Sequence, residues 1–107
     1  MKPPVKLNTH TLVRVERLFK WADREKAKTL LLDFSGIDPL ETERLRFAAL
    51  RVSDGNLAKL TEAIEMGKQD FRDLLVVARF ASHPEQHQRW WPEDKVSVNT
   101  PSPDNIY

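Results

Sequence analysis

From Leu12 to Ala78 the apolar residues recur every three or four positions, and this period decides what the chain can fold into. A turn of 3.6 residues brings positions i, i+3, i+4 and i+7 onto one face, so each segment reads as an amphipathic helix. Alternation at every second residue, the mark of a half-buried strand, runs no further than Val96–Val98. A sheet has nothing to be built from. The expectation is an all-α fold: a compact orthogonal bundle of five or six short helices with an extended C-terminal tail. A chain of 107 residues leaves room for a single domain.

Polar residues punctuate the apolar pattern at nearly even intervals. Asp23, Asp38, Asp54 and Asp70 each fall where one periodic segment gives way to the next. A short carboxylate there can accept from the unpaired N–H groups that begin a helix. The first helix is expected over about Leu12–Ala22, with Leu12, Val15 and Phe19 in line and Leu18 and Trp21 or Ala22 widening the stripe. Asp23 should cap a second helix carrying Ala27, Leu30, Leu31 and Phe34, closed by Gly36. Asp38-Pro39-Leu40-Glu41 is the strongest start signal, with a capping carboxylate, proline at the first position and glutamate two residues later. Helix three should run to Ser53, with Leu45, Ala48, Ala49 and Val52 inward. Asn56 can cap a fourth helix ending near Gly67, and Asp70 a fifth with Phe71, Leu74, Leu75 and Ala78 inside. Ser82-His83-Pro84-Glu85 opens a short last helix that Pro92 stops. The domain limits that follow are an arm at 1–8, the bundle at 9–92 and a tail at 93–107. The aspartate spacing resembles a repeat, but the segments between do not match one another.

Composition narrows the function classes. Hydrophobic residues are 40% and charged residues 31% of the chain, an ordinary globular balance. Without cysteine there is no disulfide framework and no thiolate metal site. The N-terminus Met-Lys-Pro-Pro-Val-Lys has no signal-peptide core, and the cytoplasm is the expected location. Net charge is +1, but residues 1–30 hold eight Lys/Arg against three Asp/Glu. Arg14, Arg17, Lys20 and Arg24 recur at helical spacing there, a candidate polyanion contact of the kind that neutralises phosphates. Glu16 offsets part of that charge, and a break at Asp23 would turn Arg24 away. A helix-turn-helix across Asp54-Gly55-Asn56 would have to read bases with Lys59 against Glu62 and Glu65. Phosphates would repel that helix.

His83 and His87 stand four apart, the spacing of two metal ligands on one helix face, and Glu85, Asp94 or His10 would have to complete the set. His83 or His87 with Asp94 is also the nearest approach to an acid–base pair. The serines at helix limits (Ser35, Ser53, Ser82) are explained by capping. Three glycines at helix ends build no phosphate loop, and no cofactor motif is present. A catalytic role finds no constellation to carry it. Trp90-Trp91-Pro92 concentrates aromatic side chains that can lid the bundle or anchor an interface, and Arg72 is left over in the Asp70-Phe71-Arg72-Asp73 helix start, able to pair with Asp73, Glu65 or a carboxylate on another helix. Trp90, Trp91 and Arg72 are therefore the candidate protein interface.

The stretch from Asp54-Gly55-Asn56-Leu57 to Asp70-Phe71-Arg72-Asp73-Leu74-Leu75 resembles a segment of short bacterial helical proteins of no known function. They share a Gly-Asp/Asn turn, a leucine-rich helix and an Asp-Tyr/Phe-Arg-Asp start. The resemblance implies a helical fold and a bacterial origin, and it transfers no site. The functional expectation is a small cytoplasmic protein–protein interaction module, with a second copy of the chain as a candidate partner. A nucleic-acid accessory protein using the basic first helix stands second, and an enzyme or metal protein using His83 and His87 third. No membrane is expected among its partners.

Overall fold

A computed structural model describes residues 6–36, 38–83 and 86–92. They form five helices, α1 (Thr9–Leu18), α2 (Trp21–Leu32), α3 (Pro39–Ser53), α4 (Leu57–Gln69) and α5 (Phe71–Val77), then a 3-10 turn at Gln86–Arg89. No strand occurs among the described residues, and the fold is an all-α bundle. The expected tail at 93–107 lies outside the described residues, as do Pro84 and Glu85 of the last start signal.

Four helices begin on a side-chain cap. The Asn8, Asp38, Asn56 and Asp70 side chains accept from the backbone N–H of Thr11, Glu41, Lys59 and Arg72. Each such cap stabilises its helix by about 1 kcal/mol. Asp38 with Pro39 starts α3 as its sequence requires, and α3 ends at Ser53 with Asp54 in the left-handed region at φ 50°. The α5 terminus closes with paired bonds, Phe80 N–H to Leu75 O and Arg79 N–H to Val76 O, around left-handed Arg79. Arginine here holds the position usually given to glycine.

Several boundaries differ from expectation, beginning with α1, which starts at Thr9 on the Asn8 cap and not near Leu12. The first break falls at Phe19-Lys20, where Phe19 turns extended and is wholly buried. Asp23 consequently lies in the first turn of α2, favouring its dipole, and Lys20 occupies the cap position without a side-chain bond. α2 ends at Leu32 on Asp33, ahead of Gly36. α4 runs through Gly67 to Gln69, because Asp70 both stops it and caps α5.

α3 is the central element and packs against α1, α4, α5 and the 3-10 turn. Its buried positions include Leu45, Phe47, Ala48, Ala49 and Leu50, so apolar surface surrounds most of the helix. That distribution marks a helix enclosed by its neighbours. Val15, Phe19, Leu31, Leu60, Leu74 and Phe80 join it in one buried cluster. Each fully buried side chain of this size stabilises the fold by roughly 1.5–3 kcal/mol. Val52 is only half-buried, and Phe71, expected inside, is 43% exposed at the α4–α5 corner. Leu7 packs on the core ahead of the α1 cap, so the described end of the N-terminal arm belongs to the bundle.

Two glycines permit close approaches. A Cβ on Gly55, at φ +87°, would stand 2.5 Å from the Leu18 carbonyl oxygen, so only glycine lets the α3–α4 turn reach the end of α1. A Cβ on Gly67 would stand 2.5 Å from Phe34 Cζ and 2.8 Å from Leu74 Cδ2. Gly67→Ala sets helix propensity, a gain of about 1 kcal/mol, against overpacking that costs about 1–3 kcal/mol. The ring of buried Phe34 has little room to yield, so urea denaturation should show net destabilisation. Gly55→Ala should cost more, about 2 kcal/mol or above, since strain adds to a backbone clash.

Candidate functional site

Arginines bind backbone carbonyls wherever α1, α2 or the chain after α5 ends. Arg24 Nε and Nη2 donate to Phe19 O and Glu16 O at the end of α1. Arg46 Nε donates to Leu31 O and Phe34 O, both at 2.8 Å, at the end of α2, and its Nη1 reaches Lys6 O. Arg44 Nη2 donates to Phe80 O at 2.7 Å after α5. The final carbonyls of a helix lack partners within it, and a guanidinium supplies several donors together with charge of the favourable sign.

Arg14 gathers the candidate residues. It is 1% exposed and lies between two aromatic rings, 4.0 Å from the Phe47 centroid and 3.6 Å from that of Trp91. Nε and Nη2 donate to Trp90 O at 3.1 and 2.8 Å, and Nη1 donates to His10 O at 2.9 Å. Burial pulls its pKa down to about 10 against the raising influence of Glu43, and the group stays charged at neutral pH. The segment at 86–91 is thereby strapped onto α1 and α3.

A second fastening lies beside the first. His87 is wholly buried, with Nε2 3.0 Å from Glu43 Oε1. An ionised carboxylate only accepts, so Nε2 then carries the proton and donates to it. Asn8 Nδ2 donates to the other oxygen of Glu43 at 2.6 Å. Phe47 and Phe80 meet the imidazole edge to face at 5.2 and 6.4 Å, and Trp90 packs on both phenyl rings. Outside this cluster a half-enclosed cavity of about 350 Å³ is lined by His10, Arg14, Glu43, Phe47, Gln88 and Trp91.

A general base must come within hydrogen-bond reach of the group it deprotonates. The His87 ring is buried between Phe47 and Phe80 and ties the 3-10 turn to Glu43 of α3. His83 is exposed and precedes the 3-10 turn, so the two histidines do not share a helix face as metal ligands would. Among the described residues no three His, Cys, Asp or Glu side chains come together to hold a metal. Asp94 and Glu85 lie outside the described residues.

The basic stripe does not survive folding. Arg14 is interior, Arg24 binds carbonyls, and Arg17 leans on the Trp91 ring at 5.1 Å, which leaves Lys20 as the exposed member. Of the candidate interface residues, Trp90 is half-buried in the core and Trp91 is 46% exposed. Arg72 projects into solvent, 3.5 Å from the Asp70 carboxylate that caps its own N–H. Such a surface pair contributes little. The two tryptophans share the strap while Arg72 stands on α5, so the three do not form one segment.

Sequence reasoning passed over Arg44 and Arg46 and misplaced Glu43 and Trp21. Glu43 reads as part of a solvated face, yet it stands four residues before Phe47 on the most enclosed helix. Apolar residues all around α3 were the available signal. Trp21, expected to widen the inner stripe of α1, begins α2 and is 81% exposed, because the break at Phe19 turns it outward. Comparison with family models, with curated proteins and with solved structures found no match.

Arg14→Leu removes the donors to Trp90 O and leaves that carbonyl in place, while His10 O keeps its place within the turn of α1. The substitution should destabilise the fold by about 3 kcal/mol, with Trp90 and Trp91 fluorescence shifting as the strap loosens. Arg14→Lys should recover little of this, since an ammonium cannot donate in a planar fork between two rings.

Proposed function

We propose that this chain is a non-catalytic protein–protein interaction module acting in the cytoplasm. The observation that supports the reading is where its chemistry is spent. Arg14, Arg24, Arg44 and Arg46 are committed to main-chain carbonyls, and His87 and Glu43 to each other. Large apolar side chains meanwhile remain outside: Trp21, Leu40, Phe71, Val76, Val77 and Trp91 are all 43% exposed or more. Single exposed apolar residues are ordinary, but an 81% exposed tryptophan in a chain this small is an anchor awaiting a pocket. No helix among the described residues is long and apolar enough to cross a membrane, so those side chains are not explained by a lipid span.

Photo-crosslinking residues placed in the full chain at Trp21, Val77 and Trp91, with exposed Lys59 as a control, test this reading in the native host. A discrete protein adduct should form at one or more apolar positions and not at position 59. Adducts to no protein from any apolar position would overturn it.

A further inference from the structure

We draw no further inference here: the strongest candidate, the half-enclosed cavity between α1, α3 and the strap that His10, Arg14, Glu43 and Trp91 line, belongs to the site already described, where Arg14 is spent on main-chain carbonyls and Glu43 on Asn8 and His87.

Discussion

The fold depends on guanidinium groups that answer the unpaired carbonyls where helices end. Short helices carry a high proportion of terminal groups, and a bundle of five must bury some of them near its core. Arg46 enters the space between the end of α2 and the N-terminal segment, and Arg14 the space between α1, α3 and the strap. Burial holds the pKa of both below the usual arginine range, a sign of what it costs to take these charges from water. Several hydrogen bonds and two aromatic faces offset that cost at Arg14. Removing either arginine would leave main-chain oxygens in the interior with no comparable donor.

The same economy explains the histidine–glutamate pair. A 3-10 turn of four residues has almost no stability of its own, so residues 86–92 stay in place through what they touch. The imidazole fills a slot between Phe47 and Phe80 and is tied to Glu43, while Arg14 holds the carbonyl of Trp90. The proposed interaction role therefore rests on the aromatic and aliphatic side chains that stay exposed on α2, α5 and the strap.

Helix number and most helix starts were legible because capping is local. Asp38 and Pro39 sit within four residues of the groups they serve, as do Asn56 and Asp70. The α1–α2 break was not legible, since no proline or glycine marks it. It exists because burying Phe19 and binding Phe19 O with Arg24 outweigh continued helix. The candidate site was legible only in its aromatic part. Arg14 looked like one of four surface cations, and His87 like half of a ligand pair, because helical spacing says which residues share a face but not which face turns inward.

Helical periodicity and local capping therefore settle, from the residues alone, that this is an all-α chain of short helices and where most of them begin. Which polar residues go inside is decided by packing. Arg14, Arg46, Glu43 and His87 are placed by elements up to 76 positions distant, as in the bond from Arg14 to Trp90 O. Trp21 faces water for a similar reason, because a neighbouring phenylalanine was drawn into the core. The energies that choose between these placements arise only when separate segments meet, and no window along the chain contains both partners.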